Sequence, residues 1–186
     1  MKVFYTASFY GKDKYQNQYS LVLDALEKTG ADVVSPEKDN YRQLLTKSKV
    51  RKLNDDNHIH YEAIKKGILV SDAVVIEISH QDFQIGYEAA LAIANKKPVL
   101  CLSIYEDFSE KINNSLFFGA KYSEVTIDNI VDEFLSSAVR GVYKERFNFF
   151  LSPTQLVYLK KSATKSGINK SEYLRSLIDK ERFNGS

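Results

Sequence analysis

The segment Asp82-Phe83-Gln84-Ile85-Gly86-Tyr87-Glu88 carries two carboxylates six residues apart with a glycine between them. Gly86 lets the backbone turn sharply into a helix, and Glu88 then sits in the first turn of that helix, facing the crevice beyond a strand end. A carboxylate so placed acts as a nucleophile or as a general base. The bland alternative is that acids are common in first helical turns because they complement the helix dipole. Spacing alone leaves both readings open. The three histidines offer no metal-ligand pattern. His58 and His60 are separated by one residue on a predicted helix and point to different faces, so neither a metal nor another cofactor is expected. Cys101 is the one cysteine, which excludes an internal disulfide and a Cys-based zinc site. Inside the apolar run Pro98–Leu102 it reads as a buried, inert thiol.

The elements that must position these groups alternate along the chain. Strands are expected over residues 2–6, 31–34, 72–78, 98–102 and 122–126, and helices over about 16–29, 58–70, 88–94, 110–117 and 127–143. Gly30 stops the first helix, Asn95-Lys96-Lys97 the third, and the Lys-, Asp- and Asn-rich segment 37–57 reads as a loop or lid. Asp72–Ile78 is a continuous apolar run, which suits a strand covered on both faces. The expected fold is α/β: an open, mostly parallel five-stranded sheet flanked by helices, Rossmann- or flavodoxin-like, plus a small tail. Ligands of such sheets bind beyond the carboxyl ends of the strands, where residues 6–14, 79–88 and 103–114 should meet.

On these residues the chain resembles the nucleoside 2-deoxyribosyltransferase-like family, which includes deoxynucleoside 5′-monophosphate N-glycosidases. The resemblance covers about residues 2–120. It rests on Val3-Phe4-Tyr5-Thr6-Ala7-Ser8, on the strand from Asp72 to Ile78, on Gly86-Tyr87-Glu88 with its small-residue helix, and on Lys97-Pro98-Val99-Leu100. It implies that Glu88 is the nucleophile that attacks C1′ of the sugar and that Asp82 contacts the leaving base. It further implies that Tyr5 and Asn114 position the substrate or nucleophile, Asn114 by reaching into a neighbouring subunit's site. Ser8, Lys12 and Lys14 would hold a 5′-phosphate, or else Lys12 and Lys14 solvate the loop beside Gly11. A carboxylate under C1′ suits the positive charge that develops there as an N-glycosidic bond breaks. Water or a second base then resolves the glycosyl-enzyme, giving hydrolysis or transfer. Two positions depart from the family: Phe4 stands where Tyr is usual, and Ile64 where an Asp holds the sugar or base. His60 or Glu62, one helical turn earlier, is the group that could substitute.

The 186 residues carry 26 Lys+Arg and 24 Asp+Glu, a formal charge of +2, with 44% hydrophobic residues, enough for a core. The balance is uneven. From Arg146 onward eight basic residues face three acidic ones, so the tail is +5 and the remainder −3. The expected domains are therefore 1–143 and 146–184. The tail resembles a ribbon-helix-helix module: a strand ending in Leu151, a Ser152-Pro153 cap, Leu156 and Leu159 on one helix, a turn at Gly167-Ile168-Asn169, and a second helix from Lys170. A lone strand and two short helices cannot bury a core by themselves, so the tail is expected first to dimerise. The resemblance implies DNA contacts from Arg146, Asn148 and Lys170. The partners expected are thus a nucleoside or nucleotide substrate, a second copy of the chain, and DNA. No stretch approaches the about 18 apolar residues of a membrane span, and the N-terminus meets polar residues too soon for a signal peptide. A cytoplasmic setting is expected. The alternative to an enzyme is a nucleotide-sensing, non-catalytic DNA-binding regulator.

Overall fold

Alternate residues of the apolar runs turn to opposite faces, and each face finds a helical cover. A computed structural model of the chain describes residues 1–53, 55–142, 149–168 and 170–184. The chain divides into two compact units, Met1–Lys144 and Glu145–Ser186. In the first, strands β1 (Lys2–Ala7), β2 (Asp32–Val34), β3 (Ala73–Glu77), β4 (Val99–Ser103) and β5 (Phe117–Lys121) form one sheet in the order β2-β1-β3-β4-β5. Every pairing is parallel. Phe4, Val74, Ile76, Val99 and Cys101 point to one face, where they pack on Ile64 and Ile68 of helix α3 (Asp56–Val70) and Ala89 and Ala92 of α4 (Phe83–Ala94). Tyr5, Val75, Leu100 and Leu102 point to the other, covered by Val22 and Leu26 of α1 (Lys12–Lys28) and Ile127, Val131 and Phe134 of α5 (Ile127–Val142). A Cβ added at Gly67 would lie 2.4 Å from the Phe4 ring, so α3 rests directly on β1.

The sheet order reverses between β1 and β3, the switch point at which open α/β folds place their ligands. Four expectations need correction. Residues 110–116 are turns and irregular chain rather than a helix, and the last strand is Phe117–Lys121, not 122–126. The β5 register follows from Phe117 reaching the core face beside Val99, while the preceding loop closes over Gly119. The segment 37–57 is not bare loop: it holds short 3₁₀ turns and helix α2 (Lys47–Leu53). Helix α4 starts at Phe83, so Asp82 is its N-cap and Glu88 lies in its second turn.

The second unit is a helical hairpin, α6 (Pro153–Lys165) and α7 (Lys170–Asn184). Ser152 and Gln155 form a reciprocal capping box with Pro153 in the first turn, and Gly167 adopts φ +68° after the helix end. Phe149–Leu151 form no strand, and Phe150 is fully exposed. The rest of the expected strand, with Arg146 and Asn148, lies outside the described residues. Lys170 is exposed at the start of α7.

Candidate functional site

Helix α4 begins where the chain leaves the end of β3, so its first two turns stand over the strand ends. Asp82 caps it: Oδ1 accepts a hydrogen bond from the Ile85 N–H at 2.9 Å, and Oδ2 accepts the Ser8 hydroxyl from the loop after β1. Ser8 in turn accepts from the Gly11 N–H at 3.3 Å and caps the 3₁₀ turn Phe9–Gly11 that leads into α1. One side-chain bridge thereby ties the two loops across the switch point.

Six residues beyond the cap, Glu88 is only 1% exposed. The Gln84 side-chain amide, one turn earlier on the same helix, donates to Glu88 Oε1 at 2.9 Å. Oε2 is buried without a well-aligned hydrogen-bond donor, and the Thr6 hydroxyl acts on the carboxyl less than Gln84 does. Burial dominates the ionisation: it pushes the Glu88 carboxyl up to about 7, with Gln84 and the Thr6 hydroxyl pulling down and the Asp82 charge pushing up. A carboxyl in that state is close to its ionisation midpoint at neutral pH, which suits a group that must be ionised to attack and is costly to keep ionised while idle.

Glu88 closes one wall of a cleft of about 450 Å³ between α3 and α4, lined also by His60, Ile64, Phe83, Gln84 and Tyr87. Phe83 is 90% exposed, and the hydroxyls of Tyr61 and Tyr87 meet at 2.7 Å. These flat, apolar walls suit a stacked aromatic ring. A chain of polar contacts runs along the cleft to Glu88. Arg42 Nε donates to the Tyr41 hydroxyl at 2.9 Å, the Tyr41 oxygen lies 2.8 Å from His60 Nδ1, and His60 Nε2 lies 3.3 Å from the Gln84 amide nitrogen. Burial first, and then the Arg42 charge, holds His60 below its usual value.

The remaining predicted residues divide. Tyr5 faces the opposite side of the sheet from Glu88, and its hydroxyl donates to the Tyr19 carbonyl at 2.9 Å, because strand alternation gives the α4 face to Phe4 and Thr6 instead. Gly86 sits inside α4 rather than at a turn, and a side chain there would meet nothing within 4 Å. Asn114 is exposed beside a second, apolar cavity of about 480 Å³ that Asp82, Gly86 and Phe108 also line, while Asp82 does not line the Glu88 cleft. Lys12 pairs with Glu37 at 3.3 Å, and Lys14 lies 5.0 Å from the Tyr15 ring centre. Of the two groups weighed as substitutes at Ile64, His60 lines the Glu88 cleft, whereas Glu62 pairs with Lys49. Gln84 went unnoticed in the sequence, although its spacing of four from Glu88 on one helix was the signal that could have found it. The pairing of Ser8 with Asp82 spans 74 residues and had no local signal.

Among the described residues there is no cluster of three or more metal-ligating side chains, and no helix is long and apolar enough to cross a membrane.

No family model matches the chain. It is similar to a 5-hydroxymethyl-dUMP N-hydrolase of Danio rerio, 25% identical over 150 residues that cover 76% of this chain and 100% of that protein. A protein of Nematostella vectensis with the provisional name 2′-deoxynucleoside 5′-phosphate N-hydrolase 1 is 26% identical over 143 residues, 73% of this chain and 95% of its own. A protein of the same provisional name from Methanosarcina mazei is 30% identical over 106 residues, 54% of this chain and 59% of its own. These matches support the resemblance to the nucleoside 2-deoxyribosyltransferase-like family.

Proposed function

We propose that the chain is an enzyme of the N-glycosidase kind that breaks the bond between base and sugar in a deoxynucleoside or its 5′-monophosphate. The observation that carries this is Glu88: a buried carboxyl at the wall of a ring-sized cleft, with one oxygen lacking a well-aligned donor and its ionisation poised near neutrality. The names of its relatives, N-hydrolases of deoxynucleoside 5′-phosphates, point the same way.

In this reading the base lies in the α3–α4 cleft and C1′ lies against Glu88. The free oxygen of ionised Glu88 bonds to C1′ as the C1′–N bond breaks, its electron pair leaves with the base, and the base takes a proton from water. A second water, giving its proton to the hydroxide left by the first, then attacks C1′ of the glycosyl-enzyme and releases the sugar and the Glu88 carboxylate; a second base in place of water gives transfer. Gln84 holds the other oxygen and fixes the rotamer. Asp82, which the family resemblance assigned to the base, is held by Ser8 and the α4 backbone outside the base cleft, and in this reading it borders the sugar's 5′ side.

The proposal includes a homo-oligomer, at least a dimer, in which the exposed Asn114 meets a neighbouring copy and the tail assists pairing. Nothing in the described residues favours the DNA-binding regulator: Phe149–Leu151 form no strand there.

Incubation with a panel of deoxynucleosides and their 5′-monophosphates, read as free base by chromatography, tests the activity. Wild type should release base, and Glu88→Gln should lower the rate at least about a thousandfold. No release from any substrate by a folded wild type, or undiminished release by Glu88→Gln, would overturn it.

A further inference from the structure

The Gln84 side-chain amide meets two groups through one atom. Its nitrogen donates to Glu88 Oε1 at 2.9 Å and lies 3.3 Å from His60 Nε2. An amide nitrogen offers two N–H donors and no lone pair, so each of these contacts needs an acceptor on the far side. Ionised Glu88 is one. Neutral His60 is the other, but only in the tautomer that leaves Nε2 bare and carries its proton on Nδ1. Tyr41 stands where that tautomer needs an acceptor. Its hydroxyl oxygen lies 2.8 Å from His60 Nδ1 and takes the Arg42 Nε–H at 2.9 Å with its other lone pair. Asp56 holds Arg42 in turn, at 3.2 Å.

Protonation of His60 places an N–H on Nε2, and two donors then face each other. Turning the Gln84 amide over gives His60 a carbonyl oxygen, but the same oxygen then faces the Glu88 carboxylate. One atom serves both contacts, so neither orientation suits protonated His60 beside ionised Glu88. The surrounding charges do not make this link. Those acting on His60 are Arg42, from the 3₁₀ turn Tyr41–Leu44, and Asp56 on its own helix; the one acting on Glu88 is Asp82 at the α4 cap. Of the other ionisable groups nearby, Tyr61 and Tyr87 bond to each other, Glu62 pairs with Lys49, and Lys65 lines the cleft. Burial pushes Glu88 up and His60 down, so both titrate over one range and the exclusion takes effect there.

Resting on the proposed N-glycosidase reading, we propose that His60 is a positioning residue for the nucleophile: its bare Nε2 holds the Gln84 amide nitrogen toward Glu88, and its protonation withdraws the carboxylate. His60 touches no reacting atom. It decides which side of the amide Glu88 meets, and the nucleophile is presented only when both groups have lost their protons.

The full-length chain is tested by ¹⁵N NMR of the His60 ring and by the pH dependence of kcat/KM for base release. Above about pH 8 the wild-type ring should carry its proton on Nδ1. Below the His60 midpoint the wild-type rate should fall about a hundredfold per pH unit, the mark of two protons taken up. His60→Gln puts a neutral group in its place, and Gln84→Leu, at an exposed position, cuts the link with His60 present. In both variants the fall should be about tenfold per unit, and the comparison cancels any titration of the substrate. A ring protonated on Nε2 overturns the inference whether or not base is released, and so does a one-proton limb in wild type. A two-proton limb that survives in Gln84→Leu also overturns it, because His60 then acts on the substrate directly. An Nδ1–H ring in a wild type that releases no base leaves the hold on Glu88 standing and removes the N-glycosidase reading.

Discussion

Two buried glutamates stand near the strand ends, and their surroundings differ in one respect. Glu77, at the end of β3, receives the Ser79 hydroxyl, the Ser79 N–H at 3.2 Å and the Tyr122 hydroxyl at 3.0 Å. Glu88, on α4, receives Gln84 on one oxygen and leaves the other without a well-aligned donor beside a cleft. Burial raises both carboxyls. Burial therefore does not distinguish the two; spare hydrogen-bonding capacity at the wall of a cavity does, and it belongs to the acid proposed as the nucleophile. A fully satisfied buried acid joins loops together, whereas an acid with a spare lone pair has something left to offer a substrate.

The widest separation of the two should come from matched substitutions. Glu77→Leu leaves the Ser79 and Tyr122 hydroxyls buried without their acceptor and should destabilise the fold by about 3–5 kcal/mol. Glu88→Gln should leave the denaturation midpoint at or above that of wild type at neutral pH, because it removes the cost of the buried charge, while abolishing turnover. Denaturant titration beside the base-release assay reads both, and equal losses of stability in the two variants would erase the distinction.

A smaller effect follows from pH. Glu88 ionises near 7 in the folded chain against an ordinary value of 4.5. Between those values the folded state holds a proton that the unfolded state has lost, so stability falls as pH rises through that window. The loss attributable to Glu88 amounts to about 3 kcal/mol. It should vanish in Glu88→Gln, measured as the pH dependence of the unfolding free energy. The rate should move in the opposite sense, rising through pH 7 as the nucleophile ionises.

The smallest shift should come from Gln84→Leu. Loss of its donor removes a pull that holds Glu88 down. The rising limb of the pH–rate profile should then move to higher pH by about one unit. A fall in rate with an unmoved profile would mean that Gln84 acts on packing alone.

Much of the architecture was legible locally because the apolar runs at β1, β3 and β4 are periodic and bounded by polar turns. The end of the sheet was not. Residues 110–117 contain enough apolar and charged residues to suggest a helix, yet the loop packs on Gly119 and leaves Phe117–Lys121 to pair with β4. Register against a neighbouring strand decides that, and register is a long-range property. Glu88 stood out by type and spacing, but its assignment to the first turn failed because Asp82 served as the cap and so moved the helix start back.

By itself the sequence determined the α/β class, the two-part charge distribution and the placement of an acid on the helix after β3. Each of these follows from composition or short-range periodicity. Only the tertiary structure decided which acid is satisfied and which is not, which face Tyr5 takes, and that Ser8 gives its proton to Asp82. Those facts depend on residues up to 74 positions apart meeting across the sheet, and the desolvation and hydrogen bonding that set their chemistry exist only once the chain has folded around them.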